Sequence, residues 1–448
     1  MTSTGTPGTP GTPGTPGGAG RWMPVTSVAL GAAACAVLLL VGAFAGRPDA
    51  AVLGAGPVVA AAWHMLRRPA GPVRATLARG EDDVPGAGRL TGTLVVAVPP
   101  GAVAANVDVL RLHRPVTDVL VAVRGTRRLA VETRTVRTGP QEVATAHVQG
   151  VGPGAASVAE PTRPVTRRTV VLPPAGALPD VPLPPRLRGL TGAHPSPRPG
   201  EGGDLRDVHP WAPGDRLRRI DWRVTARRAP DLRELWVRRE HALAEAVVVL
   251  VVDSRDDVGP DPITWRGSQS PRPQDATSLD RARQAASAVA RAFLDRGDRV
   301  GLDDLGVRRR PLPPGGGRRQ LDRIRHALAL THPEGEPATR LRPPRVPSGA
   351  LVVLFSTFLD DEAAVVAEQS RRAGHRVVAV DVLPQVRTRH LGAREHIALR
   401  IVQVARADRL AALTDHDVEL VTWREAPAVA LQTLARRAQR RPGAGVPA

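Results

Sequence analysis

Ala246–Asp253 reads AVVVLVVD, and this run decides the fold class. Its apolar residues are continuous rather than alternating, and it ends on a carboxylate. That is the pattern of a central parallel strand covered by helices on both faces. Downstream, Asp280–Leu294 places Ala282, Ala285, Ala286, Val289, Ala290 and Phe293 at helical spacing. Strands are then expected at Arg299–Leu305, Leu351–Phe355, Val377–Asp381 and Val418–Thr422. Helices are expected at Gln320–Leu330, Glu362–Ala373, Asp408–Thr414 and Ala428–Arg440. Such alternation across 245–440 predicts a doubly wound parallel sheet. Its ligand site would lie at the carboxyl ends of the strands, where Asp253 and Ser356 stand.

Immediately upstream, residues 200–240 read GEGGDLRDVHPWAPGDRLRRIDWRVTARRAPDLRELWVRRE. Pro213-Gly214-Asp215 predicts a tight turn, because Pro presets φ and Gly supplies the left-handed position. Arg219–Arg223 alternates like a half-buried strand, and Leu235–Glu240 reads as a second. The charges allow two readings. In one, Asp204, Asp207, Asp215 and Asp221 satisfy Arg206, Arg219, Arg223 and Arg227 internally, beneath covering Trp side chains, since buried charges must be paired. In the other, the Arg forks and Trp rings form a polar docking surface. A hydrolase with His209 as base and Asp215 as its orienting carboxylate lacks a placed Ser or Cys nucleophile.

The positions Gly200, Asp204, Arg206, Trp211, Pro213, Gly214, Asp215, Arg219, Ile220, Asp221, Trp222, Arg223, Ala226, Arg227, Arg239 and Glu240 together resemble the signature of the domain of unknown function 58 family. The resemblance implies paired membrane helices, a β-rich region and a C-terminal von Willebrand A-like domain. It also implies partnership with a MoxR-type AAA+ ATPase in assembly or maturation of other proteins. The docking residues it marks are Asp204, Arg206, Trp211, Pro213, Gly214, Asp215, Arg219, Asp221, Trp222, Arg223, Arg227 and Glu240.

The von Willebrand A fold often holds Mg²⁺ through D-x-S-x-S after the first strand, a Thr in a later loop and an Asp after a further strand. Here the first stretch is Asp253-Ser254-Arg255-Asp256-Asp257, and only its leading Asp matches. The loop Pro314–Arg318 offers no Thr, and Ser356-Thr357-Phe358 stands where relatives usually have Ser-Asp-Phe. Asp253, Ser254, Asp256 and Asp257 could supply oxygens for Mg²⁺. Arg255 instead puts a cation among them, so the expectation is a degenerate site with no metal, the guanidinium pairing with Asp253.

Further upstream, 173–199 is dense in Pro and predicts a stiff connector. Residues 72–172 alternate short Val/Leu/Thr runs with Gly/Pro turns, which predicts a β-sandwich-like domain. Its expected strands are Leu90–Val98, Val107–Leu112, Thr117–Val123, Leu129–Thr135, Val143–Val148 and Thr169–Leu172. Val25–Ala45 is uncharged and long enough to cross a bilayer as a helix. A second uncharged run, Ala50–Leu66, follows after Gly46-Arg47-Pro48-Asp49, so 25–68 reads as a membrane hairpin. A cleaved signal peptide ending near Ala43-Phe44-Ala45 is the competing reading, and it would suit an exported envelope-assembly protein. Arg67, Arg68, Arg74 and Arg79 flank the hairpin, which places the bulk of the chain on the cytoplasmic side of the plasma membrane. Residues 1–24, with Gly-Thr-Pro triplets at 5–16, read as a flexible tail.

The chain has 448 residues, and all 62 of its basic residues are Arg. Without Lys there is no P-loop lysine and no Schiff-base chemistry. With one cysteine, Cys35, there is no intramolecular disulfide and no multi-cysteine zinc site. The net charge of +19 is read first as a compositional shift of the whole proteome and second as a sign of an acidic partner; no basic patch carries the aromatics of a single-strand binder, so nucleic acid is not the expected partner. The combined expectation is a non-enzymatic, membrane-anchored interaction module without a cofactor. The alternative of another class is a metal-dependent hydrolase or nucleic-acid-processing enzyme using the Asp253 cluster.

Overall fold

The computed structural model describes residues 20–80, 88–111, 114–189, 192–266, 271–306, 310–334 and 344–440. The Gly-Thr-Pro triplets lie outside the described residues. The chain forms two compact units, one of residues up to Arg134 plus Gln141–Thr169, the other of Thr135–Pro140 plus Val170 onward.

The first unit opens with β1 (Trp22–Pro24), followed by two apolar helices, α1 (Thr26–Phe44) and α2 (Pro48–Leu66). Each helix has 19 residues and is long and apolar enough to cross a membrane. Their outward faces are apolar, with Leu30, Val41, Phe44, Val52 and Leu53 exposed. The helices meet at glycines: a Cβ on Gly42 would come within 2.5 Å of the Ala51 nitrogen, and one on Gly54 within 2.7 Å of the Leu39 nitrogen. Small residues let two helices approach where no hydrophobic effect drives them together.

The remaining strands of this unit are β2 (Arg74–Arg79), β3 (Gly88–Ala97), β4 (Ala104–Arg111), β5 (Arg114–Ala122), β6 (Thr126–Thr135), β7 (Gly139–Val151), β8 (Ser157–Ala159) and β9 (Val165–Val171). They form one sheet in the order β1-β8-β7-β4-β5, with β9 also on β7, and a second in the order β2-β3-β6. Strands of both sheets feed one apolar cluster that includes Leu94, Val96, Val107, Ala146 and Val148. Trp22 belongs to it as well, so residues 22–24 are a strand of the folded unit and not the end of a flexible tail. Its indole Nε1 donates to the Gly71 carbonyl at 3.0 Å, so the segments just before α1 and just after α2 are joined.

The second unit begins with a Pro-rich stretch that is more than a connector. Val181 is buried in the core, and Leu178, Leu183 and Leu187 pack against it. Pro holds this strap extended while the intervening aliphatic side chains dock. From His194 the chain is already β10 (His194–Pro210), paired antiparallel with β11 (Trp236–Ala244). The register slips at three places around Pro199–Asp207, as expected of a Pro- and Gly-rich strand in a two-stranded ribbon.

Ribbon strand β11 runs almost directly into β12 (Val247–Val252). Then come α4 (Ser278–Leu294), β13 (Arg299–Asp304), β14 (Leu312–Gly315), α5 (Arg318–Leu330), β15 (Leu351–Ser356), α6 (Glu362–Arg372), β16 (Arg376–Asp381), α7 (Ala393–Asp415), β17 (Glu419–Thr422) and α8 (Pro427–Arg440). The sheet order is β14-β13-β12-β15-β16-β17. All neighbours pair in parallel except β13 with β14. Alternate residues of β12 feed two cores: Val248, Leu250 and Val252 meet residues of α4, α5 and α8, while Val249 and Val251 meet residues of α6 and α7. That explains the continuous apolar run, because neither face of the strand sees water. The expected helix at Asp408–Thr414 is only the end of α7, which starts at Ala393 after Gly392. Most of its first four turns are exposed, so no apolar stripe announced them.

Candidate functional site

The chain reverses its direction across the sheet between β12 and β15, and ligand crevices of open α/β sheets form at such a point. The carboxyl ends of these two strands bring together Asp253, Arg255, Ser356 and Asp360. Arg255 donates from Nε to Asp253 Oδ1 at 2.8 Å and from Nη2 to Asp253 Oδ2 at 2.9 Å. Its outer edge donates from Nη1 and Nη2 to the two oxygens of Asp360, both at 2.8 Å. Ser356 Oγ adds a donor to Asp253 Oδ2 at 2.8 Å. The side chains of Arg255 and Asp253 are 6% and 3% exposed, whereas that of Asp360 is 55% exposed. Burial alone would weaken the guanidinium's hold on its proton, but its hydrogen bonds to Asp253 and Asp360 and their negative charges outweigh it and keep the group charged.

The expected pairing of Arg255 with Asp253 is therefore present, and Asp360 is a second partner that the sequence reading missed. The other three candidate ligands point elsewhere. Ser254 Oγ donates to Asp304 Oδ1 at 2.6 Å. Asp257 accepts from Arg137 Nη2 at 3.0 Å, and burial pushes its carboxyl up. Asp256 accepts from Thr357 Oγ1 at 3.2 Å, and burial together with the charge of Asp253 pushes it up to about 7. Among the described residues no group of three or more His, Cys, Asp or Glu side chains is arranged to hold a metal. The donor set does not fit Mg²⁺ as it stands, because both Asp253 oxygens already accept from a tethered cation. Arg406 of α7 completes this edge of the sheet, donating from Nε to the Thr357 carbonyl at 2.7 Å and pairing with Asp381.

The second candidate region is the ribbon β10–β11 and the segment between its strands. The expected turn is present: Asp215 Oδ2 accepts from the Ala212 nitrogen at 3.0 Å, and Gly214 has φ of +104°. The expected strand at Arg219–Arg223 is absent. Asp221 instead accepts from the nitrogens of Arg223 and Val224, both at 3.1 Å, and caps α3 (Trp222–Arg228). A carboxylate that satisfies the first free N–H groups of a helix outweighs a short alternating pattern. Two Trp residues are held here: the Trp211 indole Nε1 donates to the Asp215 carbonyl at 3.2 Å, and the Trp236 backbone nitrogen donates to Thr225 Oγ1 at 2.9 Å, with Arg228 stacked 4.5 Å from the Trp236 ring centre.

The expected internal ion-pair network forms only in part, and mostly with other partners. Asp215 lies 3.6 Å from both Arg239 and His209, Arg219 pairs with Glu201 at 3.2 Å, and Asp221 lies 3.9 Å from Arg238. Arg206 reaches Asp207 only at 3.7 Å, and Glu240 accepts from the Gly203 nitrogen at 3.1 Å. Asp204, Arg223 and Arg227 are exposed and make no ion pair with a described residue. Neither Trp covers a charge network: Trp211 is 40% exposed and Trp222 is 62% exposed. Exposed Leu217 and Leu232 lie in the same segment.

Residues 207–393 match the model of a family described as protein of unknown function DUF58. The match runs from near the end of β10 through the Asp253–Asp360 cluster to the start of α7, less than half of the chain. No curated protein and no solved structure matches it.

Proposed function

We propose that this chain is a membrane-anchored, non-enzymatic interaction module that docks protein partners through the segment between β10 and β11. The observation that carries the reading is the exposure of Trp222, Trp211, Arg223 and Arg227 on a segment braced from beneath. Large aromatic and Arg side chains are the usual anchors of protein interfaces, and a fully satisfied structural network would have buried them. The ribbon is also firmly mounted. His194 Nε2 lies 2.9 Å from Asp298 Oδ2, and Asp298 Oδ1 accepts from the Ala246 nitrogen at 2.8 Å, so the ribbon is tied to the first residue before the central strand.

The partner in this reading is a MoxR-type AAA+ ATPase, and the process is assembly or maturation of other proteins. Support comes from the signature resemblance and from the matched DUF58 region. The α/β unit is taken as von Willebrand A-like, which its sheet order and the place of Asp253 favour. The hairpin is taken to cross the plasma membrane with its turn outside. The joining of Trp22 to Gly71 supports this, because it gathers Arg21, Arg67 and Arg68 at one end, opposite a turn whose Arg47 is neutralised by Asp49 at 2.8 Å.

Co-purification from membranes tests the proposal. Full-length chain carrying Trp222→Ala and Arg223→Glu should lose the ATPase while keeping its unfolding midpoint. Unchanged capture by that folded double variant would remove the docking surface from this segment.

A further inference from the structure

We infer that the Arg255 guanidinium is the resident cation of the strand-end site, standing where a divalent metal ion would otherwise bridge Asp253 and Asp360. Two carboxylates, one just past the end of β12 and one in the loop after β15, converge on one point. Like charges so placed need a cation between them to remain ionised. Asp253 has no free acceptor position: Oδ1 takes the Arg255 backbone nitrogen at 3.3 Å and Nε at 2.8 Å, while Oδ2 takes Nη2 at 2.9 Å and Ser356 Oγ at 2.8 Å. Asp360 Oδ1 takes Nη2 at 2.8 Å and the Glu362 nitrogen at 3.2 Å, and Oδ2 takes Nη1 at 2.8 Å.

A metal ion can enter this arrangement only by expelling the guanidinium. That group does not lose its proton at any pH a cell reaches, and its planar fork matches two carboxylates at once. It is also tethered two residues from Asp253, so its local concentration far exceeds that of any free ion. Mg²⁺ sheds its water reluctantly and needs near-octahedral oxygens, which a site filled with N–H donors does not offer. The oxygen donors themselves are suitable: two carboxylates and the Ser356 hydroxyl remain once the guanidinium is removed. One residue therefore holds both carboxylates in a metal-independent state, with one of their two negative charges compensated. The inference does not depend on the docking reading, because no partner enters it.

Titration of the detergent-purified full chain with Mn²⁺ tests it, following free Mn²⁺ by electron paramagnetic resonance and the unfolding midpoint in parallel. Wild-type chain should neither deplete nor respond to about 1 mM Mn²⁺. Arg255→Ser should have a lowered midpoint, bind one equivalent of Mn²⁺ and recover part of the midpoint when it does. Arg255→Ser with Asp253→Ala should lose that binding. Saturable Mn²⁺ binding by wild type that Asp253→Ala removes would overturn the inference, as would folded Arg255→Ser that takes up no Mn²⁺. If Arg255→Ser does not fold, Arg255→Gln, which keeps an amide donor, takes its place, and the wild-type titration decides on its own.

Discussion

The ribbon around Asp221 and the cluster around Asp253 are built from the same groups, carboxylates and guanidiniums, in opposite surroundings. In the ribbon the charges are half-buried or exposed, their separations run to 3.9 Å, and several have no partner among the described residues. At the strand ends every bond of the Arg255 fork is at 2.8 or 2.9 Å, and the Arg255 and Asp253 side chains are almost dry. The difference is one of setting. Charges on a surface segment cost little to leave unpaired and stay available to a partner, whereas charges between two apolar cores must be satisfied in place.

Substitutions should separate the two regions by size of effect. Asp253→Ala leaves a buried guanidinium with one half-exposed partner, and should cost about 3–5 kcal/mol in denaturant unfolding. Arg206→Ala in the ribbon serves as the near-neutral control. A loss as large at Arg206 would erase the contrast.

The next effect is a pH dependence. Asp256 in the folded state holds its proton up to about 7, whereas its ordinary value is 3.8. The folded state therefore binds more protons than the unfolded chain between those values, and stability falls as pH rises through that window and then levels off. The drop should be on the order of 2–4 kcal/mol, and Asp256→Asn should flatten it. Unfolding curves at acidic and alkaline pH measure it, and a wild-type profile as flat as that of Asp256→Asn would sink the assignment.

Asp221→Ala should remove the cap of α3 at a cost of about 1 kcal/mol. The smallest stability effect belongs to Trp222→Ala, within about 0.5 kcal/mol, since its ring lies on the surface. Its consequence should appear in partner capture instead. A large destabilisation at Trp222 would make the residue structural and narrow the gap between the two regions.

The sequence announced the sheet well because a strand buried on both faces has no polar positions to obscure it, as in Val247–Val252. The turn at Pro213-Gly214-Asp215 was legible for a similar reason, since its backbone demands particular residues. Asp221 was misread because the alternation of Arg219–Arg223 imitates a strand, and a cap is recognised only together with the helix that follows. The Arg255–Asp253 pair could be anticipated from two positions in one loop. Asp360 could not: it lies 105 residues away in sequence, and only the adjacency of β12 and β15 brings it to the guanidinium. Trp22 was hidden for the same reason, because its partners arrive only after the chain has passed through both apolar helices.

That indole has a mechanical consequence. With β1 zipped to β8 and Trp22 bonded to the Gly71 carbonyl, the two helices are held together at their base as well as through the turn that joins them at the tip. A protease cut at the tip, near Gly46, would sever the chain without releasing it. The severed α1 would stay riveted to a folded sheet, and the two fragments would separate only once that sheet had come apart.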